Sequence, residues 1–290
     1  MIETIQFTIN GIAVGCIYGL VALGFVLIYK AGEVVNFAQG DMMMLGAMLA
    51  VTLIVTYKLD YWLGLAIAIA LMMALGALID ATVVRRIVGF PQFSTVMLTL
   101  GLGFILRSAA SFVWGPDART LDTPFSAGVW RFMGVTVSHT YASLIIGTFV
   151  LCAVLFVVFK YTRIGNAMQA ASENQLAAYY MGIPVKAYLS LVWAISAGVS
   201  TCAGVLLAPV ALVDVNMGSI GLKAFAAAVV GGFGSIPGAL VGGIVIGLVE
   251  MYAGIKLDTA WRNASPYLVL LAVLLLMPQG IFGSSIRKKV

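Results

Sequence analysis

Charge is scarce in this sequence. Only 9% of its 290 residues are Asp, Glu, Lys or Arg, against 62% hydrophobic, where an ordinary globular chain carries about a quarter charged residues. No soluble fold encloses that apolar surplus. Histidine is nearly absent as well. His139 is the only one, and no Cys/His cluster has metal spacing, which argues against metal catalysis. The three cysteines, Cys16, Cys152 and Cys202, each lie inside an apolar stretch, where Cys behaves as a small hydrophobe and carries no message about redox compartment. No Gly-Lys pair occurs, so there is no G-x-x-x-x-G-K-[ST] loop to cradle a nucleotide. Ser235 follows Gly234, but no histidine at membrane depth stands ready to activate it, which removes an intramembrane serine protease.

What the chain does have is hydrophobic length. A spanning helix needs about 20 mostly apolar residues, so the chain has room for roughly seven to ten passes within a single membrane domain, 1–290. Spans are expected at 7–29, 41–57, 61–80, 94–113, 141–159, 187–208 and 265–281. The first run, Phe7 to Tyr29, is too long for a signal-peptide core, lacks a basic leader and is interrupted by Gly11, Gly15, Gly19 and Gly24, so it reads as a permanent span. The stretch 221–256 is apolar but broken at its middle by Gly231, Gly232, Gly234, Ser235, Pro237 and Gly238. Two short arms meeting at such a turn are tolerated at membrane depth only where protein or water shields the open backbone, so a re-entrant or broken helix pair is expected there. The fold class is therefore all-α: a polytopic membrane helix bundle of about eight spans including that pair.

Lys and Arg gather in short cytoplasmic connections. Lys30, Arg85, Arg86, Lys160, Arg163, Lys186 and the tail residues Arg287, Lys288 and Lys289 fall on one side if the first span starts outside. Lys58, Arg119, Arg131, Lys223, Lys256 and Arg262 fall on the other, scattered among Asp60, Asp117, Asp122, Asp214 and Asp258. The net charge of +5 thus reads as topology, with the N-terminus outside and the C-terminus in the cytoplasm, and not as nucleic-acid binding. Two connections are long. The external loop 114–140 holds Pro116, Pro124 and an alternating pattern near Val129 to Val137 that predicts a small hairpin or cap. The cytoplasmic segment 163–184 is Ala-rich, free of Gly and Pro from Asn166 to Met181, and bounded by Gly165, Gly182 and Pro184, so one helix is expected. Its polar face carries Glu173 among neutral Asn166, Gln169, Asn174 and Gln175, whereas a helix lying on lipid headgroups is rich in Lys and Arg. Docking into a partner groove and lying on lipid both stand as readings of its shape.

That segment resembles the coupling helix of ABC-importer permeases. Six blocks stand in order along the chain: Gly19-Leu20-Val21-Ala22-Leu23-Gly24 with Leu27-Ile28-Tyr29, Val35 through Asp41, Arg163-Ile164-Gly165 with Met181-Gly182-Ile183, Gly204-Val205-Leu206-Leu207, Gly221 through Phe225, and Gly231 through Ala239. By these blocks the chain resembles, almost end to end, the high-affinity branched-chain amino acid permease family. Within the family the chain is similar to the smaller, H-type subunit. The resemblance implies inward transport of branched-chain or similar hydrophobic amino acids across a bacterial inner membrane. It further implies a second homologous permease, two cytoplasmic ABC ATPases that use ATP and Mg, and a periplasmic substrate-binding protein, with no cofactor bound by this chain. It places ATPase coupling on Arg163, Gly165, Glu173, Gly182, Ile183 and Pro184. Many relatives carry His where Gln39 stands, so no charge switch is available in that loop.

The polar elbow before the second span has two readings. Asp41 precedes the apolar run from Met42, so it is placed to cap that helix and favour its positive end. Alternatively Asn36, Phe37, Gln39, Gly40 and Asp41 reach into the bundle and line the path, with Met44 and its neighbours as a soft wall. The Gly-rich elbow also has two. Glycines at 234, 238 and 242 let helices approach closely, while Gly232, Gly234, Ser235 and Pro237 sit where transporters place pathway backbone. Glu250 is a lone acid in an apolar stretch, with Lys223, Lys256 or Arg262 as partners for an ion pair. Arg107 is expected to snorkel to the outer interface. A permease for urea, short amides or other small solutes is the nearest rival within the class. An ion-coupled secondary transporter working alone is disfavoured by the shortage of paired intramembrane acids, and a purely structural scaffold leaves the polar elbows unexplained.

Overall fold

A computed structural model of the chain describes residues 2–87, 90–125, 128–132 and 135–283. The chain enters through α1 (Ile2–Gly32), followed by α2 (Gln39–Val51), which runs on as a π turn over Thr52–Thr56, and then by α3 (Tyr61–Thr82) and α4 (Gln92–Trp114). The strands β1 (Val129–Phe132) and β2 (Val135–Ser138) pair antiparallel, Val129 facing Ser138 and Phe132 facing Val135. The expected hairpin is therefore present, and its edge is tied to α1 by the Gln6 side-chain amide, which accepts from Thr136 N–H and donates to Thr136 C=O. Then come α5 (His139–Tyr161), α6 (Arg163–Glu173), α7 (Gln175–Tyr180), α8 (Val185–Leu207), α9 (Ile220–Gly231), α10 (Ile236–Lys256) and α11 (Thr259–Leu276). Seven of the described helices are long and apolar enough to cross a membrane, and Met217–Gly231 and Ala260–Leu276 are shorter apolar helices. The protein is a multi-pass membrane bundle. The basic tail 287–289 lies outside the described residues.

Burial sorts the helices into layers. The apolar window of α1 is 89% buried and that of α5 only 17%, so α1 is apolar all round because it is the axis of the bundle, whereas α5 shows its apolar surface outward. Lipid supplies no hydrophobic force between helices, so close packing must do the work. It is done by glycine. Gly11, Gly15 and Gly19 on one face of α1 meet Gly243 and Gly247 of α10, where an added Cβ on Gly243 would stand 2.3 Å from Gly19 N. The fourfold spacing of the first three is in the sequence, yet there it marks only interruptions of a hydrophobic run.

Several expectations change here. The 221–256 pair is not two short arms. Its first helix has 12 residues and its second 21, because the elbow lies at one end of the bundle. Ile281 and Phe282 N–H donate to Val230 and Gly231 C=O beyond the end of α11, and Tyr29 near the end of α1 packs on Phe233 at 4.8 Å. The last helix begins at Thr259, ahead of the expected 265, and contains Pro266. Proline cannot donate to the carbonyl four residues back; Ser265 Oγ donates to that carbonyl, Arg262 C=O, at 3.3 Å, so the turn survives. The 163–184 segment is two helices, not one. Asn174 breaks it at φ −157°, ψ 101° and caps α7 by accepting from Ala177 N–H, a local bond that competes with helix continuation. Gly165 does not precede the helix but lies inside its first turn. Thr162 is the cap, and a Cβ on Gly165 would fall 2.1 Å from Phe159 C=O.

Candidate functional site: a polar elbow at membrane depth

The connection 33–38 does not stay at the end of the bundle. Gln39 sits against Gly24 of α1, where a Cβ would fall 1.8 Å from Gln39 Nε2, two turns before the end of α1 and so about 11 Å inside it. In the other direction, three turns of α2, about 16 Å, separate Asp41 from Thr52, whose hydroxyl accepts from the Trp114 indole N–H at 2.6 Å. Trp favours the membrane–water interface, and the two distances together match a hydrocarbon core of about 30 Å. The start of α2 therefore lies near mid-depth, with non-helical backbone leading to it.

Backbone at that depth must be satisfied from within. Asn36 Oδ1 accepts from Ala38 N–H at 3.1 Å, and Thr99 Oγ1 accepts from Phe37 N–H at 3.2 Å. Gln39 Nε2 donates to Ser200 Oγ, while Gln39 Oε1 accepts from Ser196 Oγ and Asn36 Nδ2, each at 3.1 Å. Asn36 and Gln39 are wholly buried. This network ties the elbow to α4 and α8. Met42, Met43 and Met44 are also wholly buried; they pack as core between α2 and its neighbours and do not border an open wall.

Asp41 does not cap its helix. The cap position is Ala38, with no side-chain bond, and the Asp41 carboxylate is turned to α4, where Oδ1 accepts from Arg107 Nε and Nη2 at 3.0 and 2.9 Å. Arg107 accordingly does not snorkel outward; its guanidinium reaches back along α4 because helical side chains tilt toward the N-terminus. Around this pair the backbone is bare. A Cβ on Gly103 would meet Asp41 Oδ2 at 2.6 Å, and one on Gly218 would meet Oδ1 at 2.3 Å and Arg107 Nη2 at 3.0 Å. Gly40 likewise abuts Gly218 C=O and Gly221 Cα, so the starts of α2 and α9 meet at glycine distance.

The two elbows are joined by rings. Phe37 packs on Phe225 at 5.1 Å and Phe225 on Phe233 at 5.7 Å, with Phe25 and Tyr29 flanking. In the second elbow Gly232 holds φ +97° against Gln279 and Gly283, Ser235 Oγ caps α10 by accepting from Gly238 N–H at 3.0 Å, and Pro237 fills its first turn. Gly234 has open space around it. The ladder of aromatic contacts was not legible in the sequence, because its members come from three separated segments.

Between the first elbow and α6–α7 lies a cavity of about 290 Å³ bordered by Glu33, Val35, Asp80, Thr95, Gln175 and Trp193. One wall is membrane bundle and another, Gln175, belongs to α7. Asp80 is fixed at its rim by Arg85 Nη2 at 3.2 Å and Ser190 Oγ at 2.6 Å. Beyond it, α6 and α7 fold onto α8 through Ala171, Ala178 and Val185, which leaves Leu176, Tyr179, Tyr180 and Met181 exposed, the last two 77% and 82%. Arg163, Glu173, Gly182 and Pro184 are exposed beside them and Ile183 is half-buried. Gly182 holds φ +82° with nothing near it. At the opposite end Glu250 is satisfied in full. Its Oε1 accepts from Lys223 Nζ at 2.9 Å with Arg262 Nε at 3.5 Å, and Oε2 accepts from Tyr18 Oη at 2.6 Å. Of the three expected partners, Lys223 and Arg262 are the ones used.

The family described as branched-chain amino acid transport system / permease component matches residues 7–277. The chain is 29% identical to the high-affinity branched-chain amino acid transport system permease protein LivH of Escherichia coli, over 99% of this chain and 97% of that protein. It is 28% identical to the corresponding permease protein BraD of Pseudomonas aeruginosa, over 99% and 98% of the two chains. A probable branched-chain amino acid transport permease protein LivH of Methanocaldococcus jannaschii is 27% identical over 93% and 89%.

Proposed function

The chain belongs to the branched-chain amino acid transport permease family, and from that membership we propose how it works as the permease subunit of an ATP-driven importer for branched-chain amino acids. It is the H-type subunit, paired with a second, homologous permease. Two ABC ATPases bind at the α6–α7 end and hydrolyse ATP with Mg, while this chain is not itself catalytic. A binding protein delivers the amino acid at the hairpin end. The α6–α7 end faces the cytoplasm and the N-terminus the outside of the plasma membrane. Charge supports that orientation: Lys30, Arg86, Lys160, Arg163 and Lys186 cluster at the α6–α7 end, while Lys223 and Arg262 at the other end are tied up by Glu250.

The observation that carries the reading is Gln175. It belongs to the exposed α6–α7 projection and also forms a wall of the cavity under the mid-depth elbow. A movement of α7 imposed by an ATPase groove therefore changes the cavity directly. The rigid step has two states biased by nucleotide, as a switch between outward and inward access requires. Leu176, Tyr179, Tyr180 and Met181 supply the apolar surface that the groove covers, beside Arg163, Glu173, Gly182, Ile183 and Pro184. Gly165 acts from beneath, by letting α6 approach Phe159. Asn36, Phe37, Gln39, Gly40 and Asp41 form the mid-depth part of the path, backed by Met44, and Gly232, Gly234, Ser235 and Pro237 form its inner rim.

Purification of the tagged chain from native membranes tests this. Stoichiometric ABC ATPases and a second permease are expected with it, together with ATP-dependent leucine uptake after reconstitution. Gradient-driven uptake by the chain alone would establish a secondary transporter instead.

A further inference from the structure

Asp41 and Arg107 form an ion pair of an unusual kind for this bundle. Glu250 uses both carboxylate oxygens on protein partners. In contrast both Arg107 bonds land on Asp41 Oδ1, and among the described residues Asp41 Oδ2 accepts no hydrogen bond and Arg107 Nη1 donates none. One acceptor oxygen on Asp41 and one donor edge of Arg107, the edge away from the shared Oδ1, are left over. The carboxylate is buried, with 9% of its side chain exposed, while the guanidinium side chain is 36% exposed. A charged group at mid-depth faces a bundle interior or a water-filled space, not lipid. The side of α4 that carries Arg107 therefore borders the path or the partner permease. Gly103 and Gly218 keep side-chain bulk away from the pair, and exposed Phe104 lies one turn back on α4.

We infer that Asp41 and Arg107 are the zwitterion-recognition pair of the path: Asp41 Oδ2 receives the ammonium of a free α-amino acid and the Nη1 edge of Arg107 its carboxylate. The aliphatic side chain is left to apolar surface such as Phe104. With no substrate present the two residues neutralise each other, and the passing amino acid adds one charge of each sign at their open edges, so the site stays neutral and neither ion is stranded in the membrane. Urea and short amides offer neither full charge, so the pair selects within the permease class. The assignment rests on the permease reading above.

The test uses the complete importer in proteoliposomes, with saturating leucine-loaded binding protein and ATP supplied at the ATPases. Variants are Asp41→Asn, Arg107→Gln, the double variant and Arg107→Lys, each verified for assembly by size-exclusion chromatography and for thermal midpoint. Each neutral single variant should lower maximal leucine uptake on the order of tenfold or more, with the half-saturating concentration of binding protein unchanged. The double variant should stay as low, and Arg107→Lys should recover part of the rate. A strap that merely holds α2 to α4 behaves differently, since the Asn/Gln pair keeps a hydrogen bond and strands no charge. Double-variant uptake within about twofold of wild type would overturn the inference. Should the single variants fail to assemble, the double variant and Arg107→Lys still decide between the two. Wild-type vesicles that take up no leucine would overturn the permease reading first, and this assignment with it.

Discussion

Gly15 of α1 and Gly247 of α10 touch backbone to backbone: a Cβ on Gly247 would stand 2.4 Å from Gly15 Cα. The contact is repeated a turn away, where Gly243 meets Gly19. Helices in lipid gain their association from such close approach, and α1 is the axis on which α8, α9 and α10 pack. Gly15→Leu is therefore expected to force the two helices apart, at an overpacking cost of about 1–3 kcal/mol or more. A lower thermal midpoint of the detergent-purified chain and a smaller monodisperse fraction would be measured. An unchanged midpoint would mean that these glycines do not set the interface.

Gln39 joins Asn36, Ser196 and Ser200 without exposure to solvent. Replacing it by Leu leaves those groups unpartnered, at about 1–3 kcal/mol each for a buried polar group, and should abolish uptake while the chain still inserts. Gln39→His offers one donor and one acceptor when neutral. Uptake by Gln39→His at pH 8 is therefore expected to stay well above that of Gln39→Leu, which supplies neither bond; proteoliposome uptake of the two variants, compared side by side, reads this.

Glu250 neutralises Lys223 and Arg262 together. Glu250→Gln strands both cations, and the loss of one partner of a buried pair costs about 3–5 kcal/mol. Lys223→Met combined with Glu250→Gln should recover part of that loss, because Arg262 is half exposed and Gln keeps a bond to Tyr18. Chemical or thermal unfolding of the four variants supplies the cycle, and the idea fails if the double variant is no more stable than Glu250→Gln.

On the α6–α7 projection, Gly182 occupies the left-handed region at φ +82°, where a β-branched residue is strained. Glu173→Ala with Gly182→Val is expected to reduce leucine uptake and substrate-stimulated ATP hydrolysis together. Tyr179→Ala with Tyr180→Ala should weaken capture of the ATPases, since buried aromatic anchors dominate interfaces. Full coupling in both double variants, measured as leucine moved per ATP hydrolysed, would remove the docking role from this surface.

The first six long helices, the hairpin and the Glu250 partners were legible in the sequence because each rests on something local: apolar length, strand alternation, or a charge that lipid does not tolerate alone; the seventh long helix, α10, was not, and the last apolar segment proved a shorter helix. Helix ends were less legible. The break at Asn174 is a competition between a side-chain cap and a continuing helix, and Ala-rich flanks conceal it; the early start of α11 depends on Ser265 satisfying the carbonyl that Pro266 cannot reach. The elbow at Gly231 to Gly238 gave away its turn but not its depth, since depth is set by what it packs against, Tyr29 and the turn after α11.

Composition alone determined that this chain lives in a membrane, since 62% hydrophobic residues with 9% charged have no other stable solvent, and its ordered blocks of Gly, Asn and Asp pointed to its family. Only the tertiary structure decided that Asp41 meets Arg107. The two lie on different helices, and each had a bland local reading, cap or snorkel, that cost nothing in one dimension. Helix packing at glycine distance brings them together near mid-depth, where an unpaired charge is expensive and the partner must come from wherever the fold places one.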